Sequence, residues 1–356
     1  MGWKLFYKEL VPFAAMVAAE FATVGSNTGF KAATARGLSY YVFTLYVCIV
    51  AAAALIPFAF FFHKSAQLPP NKISFFFQIV CLSALGLSCQ LLGNKGLEYS
   101  SPTLSSAISN LIPAFTFMLA VSFGMEKIDL KRSSSIVKIV GSAVSISGAL
   151  VVVLYKGPIV ISNPYSPGPK QLDSSHPQPN WIMGGLCFVF QYLCNSFWYI
   201  LQTKIIKVYP DEITVVAVYY FIQALLTAPV CLIAETDMNA WKLTNPLIFL
   251  FIFNSGLMGQ SFVAAIHTWG LNLKGPVYVS SFRPLSIAIA AAMGAILLGD
   301  DLHLGSIIGA IIISIGFYGI LWGKAKEEEL KGLEDVCGLE SSSKAPLLQY
   351  YKLEEA

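Results

Sequence analysis

The chain has 356 residues, of which 56% are hydrophobic and 12% charged, about half the charged share of a soluble domain. So few charges cannot cover that much apolar surface in one or two soluble cores, and disorder requires the opposite composition. A net charge of +3 is too small and too dispersed for a nucleic-acid partner, which leaves a polytopic helical membrane protein.

Crossing a bilayer as a helix takes about 20 mostly apolar residues. Ten such stretches follow one another, near 10–30, 40–62, 73–94, 102–124, 134–155, 181–203, 213–234, 246–268, 276–298 and 304–323. The first is weakly apolar and carries Glu20 and Asn27. It is too long, and too soon followed by a full second span, for a cleaved signal sequence. Leu68-Pro69-Pro70-Asn71 breaks the chain between spans two and three. Ser101-Pro102 starts the fourth span with Ser at the cap and Pro in the first turn, and Gly275-Pro276 repeats that device before the ninth. The one long polar connection, Lys156–Asn180, is rich in Pro and Ser and divides the spans five and five. The expected fold is therefore an all-α membrane protein of ten transmembrane helices. It has two five-helix units, 8–155 and 181–323, a polar loop at 156–180 and a charged tail at 324–356.

Lys and Arg in short loops set the orientation. One side would hold twelve (Lys4, Lys8, Lys64, Lys72, Lys127, Lys131, Arg132, Lys204, Lys207, Lys274, Lys324 and Lys326) and the other six. Both termini should be cytoplasmic, with the 156–180 loop facing outward or into a lumen.

The two halves resemble each other. At a shift of 174, Gly96, Leu97, Pro102, Ser106, Ala114 and Glu126 meet Gly270, Leu271, Pro276, Ser280, Ala288 and Asp300. At 173, Lys31 and Tyr46 meet Lys204 and Tyr219; at 168, Gly141 and Gly148 meet Gly309 and Gly316. Five spans is an odd number, so a second copy enters the membrane inverted. This is the plan of many secondary transporters, in which two inverted halves open a central site to either side in turn.

Several runs carry a family resemblance. They are Leu201-Gln202-Thr203 with Tyr209-Pro210-Asp211-Glu212, Lys274-Gly275-Pro276-Val277-Tyr278-Val279, Phe282-Arg283-Pro284-Leu285, and Leu304-Gly305-Ser306-Ile307-Ile308-Gly309 with Leu321-Trp322-Gly323-Lys324. With Asn27-Thr28 and Phe30-Lys31-Ala32-Ala33 near the start, residues 8–324 resemble the plant nodulin-like, "walls are thin"-related transporters. These form an EamA-type (UMAMIT-type) branch of the drug/metabolite transporter superfamily. The resemblance implies two EamA repeats around a central cavity lined by spans one, three, four, six, eight and nine. It implies transport of amino acids or auxin-like acids, as a facilitator or coupled to protons, with the plasma membrane expected ahead of the vacuolar membrane. The chain departs from the family pattern at two places: many relatives have a neutral residue in place of Glu20 and Asn in place of Arg283.

Those two residues are the leading candidates for solute chemistry. A carboxylate at the depth of Glu20 is costly unless it faces water, is paired or is protonated. Contact with a substrate ammonium, proton coupling and a structural hydrogen bond are all open readings. Arg283 cannot readily lose its proton and needs an anion, carbonyls or water. It could bind a substrate carboxylate, pair with Glu20 or snorkel to the interface. Asn195, Trp198 and Gln202 lie one turn apart on span six and would suit an amphipathic solute. Asn27 and Asn110 complete the candidate set, although intramembrane amides also join helices.

The small-residue pairs Gly25/Gly29, Gly305/Gly309 and Gly319/Gly323 read as close helix packing. Spans five and ten are expected at the periphery or against a second protomer. Glu126 and Asp300 fall at equivalent span ends. The seven cysteines (Cys48, Cys81, Cys89, Cys187, Cys194, Cys231 and Cys337) are odd in number and form no CxxC pair, so they read as small hydrophobes without disulfide or zinc. No HExxH, Walker A, GxGD or GxSG pattern occurs. A non-enzymatic transporter without metal or organic cofactor is expected, whose partners are a small-molecule solute and the lipid bilayer. Two rival readings are a nucleotide-sugar or phosphorylated-metabolite antiporter, which needs several cavity cations, and a non-transporting scaffold or receptor.

Overall fold

The structure is a computed structural model. It describes residues 2–34, 36–62, 72–99, 105, 108–109, 111–125, 133–155, 157–161, 181–243, 245–293, 302–305, 307–309, 311–312, 314–320, 322–323 and 325–326. Ser101-Pro102, Asn110, Glu126, Asp300, Cys337, most of the 156–180 loop and the tail from 327 lie outside the described residues.

Each expected span meets helix. The elements are α1 (Gly2–Thr34), α2 (Tyr40–Phe62), α3 (Lys72–Tyr99), α4 (Leu111–Ser122), α5 (Ser133–Leu154), α6 (Trp181–Val208), α7 (Glu212–Ala234) and α8 (Pro246–Lys274). The ninth span is divided into α9 (Pro276–Ser281) and α10 (Arg283–Met293), and α11 (Ile307–Ile320) forms the tenth. Among the described residues, five helices, α1, α2, α3, α7 and α8, are both long and apolar enough to cross a membrane. Phe60, Phe61, Ile73, Ile182 and Ile233 are at least three-quarters exposed. In water that would be unfavourable, but it suits the lipid-facing surface of a bundle. The chain is an integral, multi-pass, all-α membrane protein. The only strands among the described residues are β1 (Ile159–Ile161) and β2 (Leu302–His303), a short antiparallel pair.

Local chemistry explains the breaks. Asp211 caps α7, its carboxylate accepting from the Thr214 amide at 3.2 Å and the Thr214 hydroxyl at 2.8 Å. Asn245 caps α8 in the same way, followed by Pro246. Gly275 ends α8 at φ 83°, a conformation that favours glycine, and Pro276 opens α9. The ninth span was expected as one helix. It breaks at Phe282, because Pro284 lacks the amide hydrogen that would bond to the Ser280 carbonyl. Within α8, residues Ser255–Phe262 widen into a π-helical segment, a distortion that recurs at functional sites.

The helices pack in a recurring pattern. α3 lies on α6 and α1 on α8; α3 also meets α7, and α2 meets α8; α2 meets α7, α4 meets α6 and α9, and α1 meets α10. Small residues set the approach distances. A Cβ at Gly96 would lie 2.6 Å from the Phe188 ring of α6, and one at Gly270 would lie 3.0 Å from Val279 and 3.3 Å from Met16 of α1. Gly316 of α11 packs on α5, where a Cβ would sit 2.5 Å from the Ser145 amide and 2.6 Å from the Gly141 carbonyl. The tenth-span glycines at 316, 319 and 323 thus face α5 of the same chain, whereas Gly25 has open space where its side chain would be.

Candidate functional site

A cavity of about 250 Å³ lies between the helices. Its walls come from the Thr34-end half of α1 (Thr23 to Phe30), Phe43 and Val47 of α2, the Tyr99-end half of α3 (Gly86 to Leu97), Ile112 of α4, the middle of α6 and α7, Gly259 to His267 of α8 and the start of α10, so spans two and seven join the six expected to line it. Beyond Arg283 the bundle is packed shut by Met16, Tyr278, Phe282 and Phe317, all at most 8% exposed. Phe282 and Phe317 meet edge to face, with ring centroids 4.9 Å apart.

Arg283 stands at this boundary because the helix break places it there. It lines the cavity and its side chain is only 12% exposed. Its Nε and Nη2 donate to the Tyr199 hydroxyl at 3.2 and 2.8 Å. Its Nη1 lies 3.6 Å from Glu20 Oε2. Glu20 has no exposed surface, and neither carboxylate oxygen has a hydrogen-bond partner. His267 of α8 places Nε2 4.0 Å from Glu20 Oε1, and that nitrogen too is unpartnered. The His267 ring meets Tyr199 edge on, with centroids 5.8 Å apart. Unlike Glu20, His267 lines the cavity. The charged floor of the cavity is therefore Arg283 flanked by a buried carboxylate, an imidazole and a phenol.

The remaining candidates separate. Asn195 and Trp198 line the cavity, and Asn195 Oδ1 and Trp198 Nε1 have no partner. Trp198 is held between Tyr199 and Tyr219, edge on to each at 5.7 and 5.8 Å. Asn27 also lines the cavity. Gln202, one turn beyond Trp198, is fully buried and does not. Its Nε2 donates to Thr268 Oγ1 at 3.0 Å, joining α6 to α8. Asn110 lies outside the described residues.

The structure adds residues absent from the sequence-derived set. Besides Tyr199 and His267, the wall includes Tyr192, whose hydroxyl pairs with Ser105 Oγ at 2.6 Å. Tyr220 donates to Gln260 Oε1 at 2.7 Å, and Gln223 Nε2 to Gln90 Oε1 at 3.2 Å. Tyrosine counts as hydrophobic in a composition scan, so its hydroxyls left no signal. His267 is a polar residue inside the eighth span, but nothing in the sequence links it to Glu20. Among the described residues, no group of three or more His, Cys, Asp or Glu could hold a metal.

Comparison with known proteins places the chain in a family. Residues 12–154 match the EamA-like transporter family. A WAT1-related protein of Arabidopsis thaliana is 52% identical, covering 100% of this chain and 96% of its own length. A second is 50% identical over 94% of each chain, and a third 46% identical over the whole of both. A chain of known crystal structure superposes with a TM-score of 0.63 at 12% identity, covering 90% of this chain and 98% of that one, a likeness of fold alone. With identities this high over nearly full length, the chain belongs to the WAT1-related proteins of the EamA-like transporter family.

Proposed function

We propose that the protein carries small organic solutes bearing a carboxylate, amino acids or auxin-like acids, through alternating access of two inverted halves. The single observation that carries this reading is Arg283, a permanently charged donor at the floor of a cavity otherwise walled by neutral groups. Its Nη1 has only a 3.6 Å ion-pair contact, so a solute carboxylate can take a charge-assisted bond there. The orphan Asn195 Oδ1 and Trp198 Nε1 can then hold the polar end of the solute, with the Trp198 and Tyr219 rings beside its apolar part. The cavity walls contain a single cation among the described residues, which suits one carboxylate better than a phosphorylated solute.

The packing supports inverted repeats at 8–155 and 181–323. Exchanging α1 with α6, α2 with α7, α3 with α8 and α4 with the ninth span turns the α1–α8 contact into α6–α3, α2–α8 into α7–α3 and α4–α6 into the ninth span with α1. The matched glycines follow it, Gly96 against α6 and Gly270 against α1. With cytoplasmic termini, the cavity side is the extracytoplasmic one and the packed Phe282 side is cytoplasmic. A plasma-membrane location fits the uptake or release of such solutes.

Proteoliposomes containing only this protein test the reading. Labelled amino acids and indole acetic acid are offered with and without a pH gradient, and flux of at least one carboxylate-bearing solute is expected. Its loss in Arg283→Gln, in a variant that remains folded, would support direct recognition. Flux confined to uncharged solutes would overturn it.

A further inference from the structure

We propose that His267 is the proton relay between the cavity and Glu20, so that protonation of Glu20 is coupled to the arrival of a solute carboxylate at Arg283; this rests on the transport reading above. Glu20 is sealed from the cavity, with no exposed surface and no hydrogen-bond donor to either oxygen. Its compensation comes from Arg283 at 3.6 Å. A second carboxylate on Arg283 would leave two anions sharing one cation in a site of low polarity, and the charge of one must be removed. Adding a proton to Glu20 does this, but water in the cavity does not reach Glu20.

His267 is the group that faces both ways. It lines the cavity, and its Nε2 points at Glu20 Oε1 across 4.0 Å with no other partner. That gap is beyond a hydrogen bond, and a small ring rotation closes it. The other charged or titratable groups described around this pair are Arg283 of α10 and Tyr199 of α6. Tyr199 accepts both Arg283 bonds and keeps its own O–H, but it is not a hydrogen-bond partner of either Glu20 oxygen. Arg283 cannot act as the carrier, because a guanidinium does not give up its proton. The step balances simply. A hydronium on the cavity side protonates the ring at Nδ1, forming an N–H bond and leaving water; the Nε2–H bond then breaks as its proton passes to Oε1, and a neutral imidazole and a neutral carboxyl result. Departure of the solute reverses it.

The test compares two modes of transport in the same vesicles. Accumulation driven by an inward proton gradient requires the relay, whereas exchange of labelled for unlabelled solute at equal pH does not require net proton movement. Amino acids and indole acetic acid are the probes. In His267→Gln, and in His267→Asn as a second variant should the first fail to fold, the ratio of gradient-driven uptake to exchange is expected to fall at least tenfold. A simple packing defect would lower both together and leave the ratio unchanged, which would overturn the proposal. Wild-type flux indifferent to the gradient would overturn the relay and leave the transport reading standing. Absence of flux for every probe would overturn both.

Discussion

The α1–α8 and α3–α6 interfaces are equivalent under the proposed exchange of halves, yet only one of them is charged. In the first, Glu20 faces His267, with Arg283 alongside. At the shift of 173 the counterpart of Glu20 is Leu193, and at 174 the counterparts of His267 and Arg283 are Gly93 and Ser109. The α3–α6 interface uses the space left at Gly93 to seat the Gln191 side chain. The two interfaces compared in this way differ in chemistry, one carrying a neutral amide on the cavity wall and the other holding ionisable groups. Under the proposed repeat, the helix packing follows the symmetry, while the ionisable groups lie where the symmetry is broken.

The largest expected effect comes from removing one member of the charged interface. Arg283→Met strands the Glu20 carboxylate in a dry site, which costs about 3–5 kcal/mol when a buried pair is broken. Thermal unfolding in detergent should register it. The double change Glu20→Gln with Arg283→Met replaces the pair by neutral groups and should recover most of that stability without recovering carboxylate flux. Charge exchange, Glu20→Arg with Arg283→Glu, sharpens the contrast further. It should restore folding and not uptake, since the cation would then sit outside the cavity wall. Restored uptake would mean that the pair is purely structural.

Smaller effects are expected where the scaffold alone is disturbed. Gly316→Ala pushes a methyl group onto the Ser145 amide and the Gly141 carbonyl, both backbone atoms that cannot turn aside. A loss of about 1–3 kcal/mol is expected. Gly25→Ala, with no heavy atom in reach of the new methyl, should stay within about 0.5 kcal/mol of wild type. Denaturation of the two variants side by side separates packing glycines from incidental ones.

That pair also shows how far the sequence could be read. Span positions were legible because twenty apolar residues in a row have few alternatives, and Pro and Gly marked their ends. Which helix each glycine faces was not, because a four-residue spacing names a stripe and not its neighbour; the tenth-span stripe meets α5 of the same chain. The site was legible where cost singled residues out. A carboxylate and a guanidinium inside spans are costly to bury, and Glu20 and Arg283 stand out in that way. Groups that carry no such cost alone were invisible, Tyr199 above all, and so was the break at Phe282 that brings Arg283 to the cavity floor. Gln202 marks the opposite limit, because sequence spacing continued a polar line past the point where the cavity ends.

Trp198 and Gln202, one turn apart on α6, give the finest test of where the solute site stops. Trp198→Phe keeps an aromatic ring between Tyr199 and Tyr219 but removes the unpartnered indole N–H. A neutral hydrogen bond contributes about 0.5–1.5 kcal/mol, so the KM for a solute that uses this donor should rise about two- to tenfold. Gln202→Leu removes the bond to Thr268 instead, leaving the Thr268 oxygen without that donor, and should lower stability by about 1 kcal/mol. Its KM should not move, because the side chain has no surface on the cavity. A KM shift in Gln202→Leu without one in Trp198→Phe would place the solute deeper along α6 than the cavity walls indicate. It would also make the packed region beyond Arg283 part of the binding site.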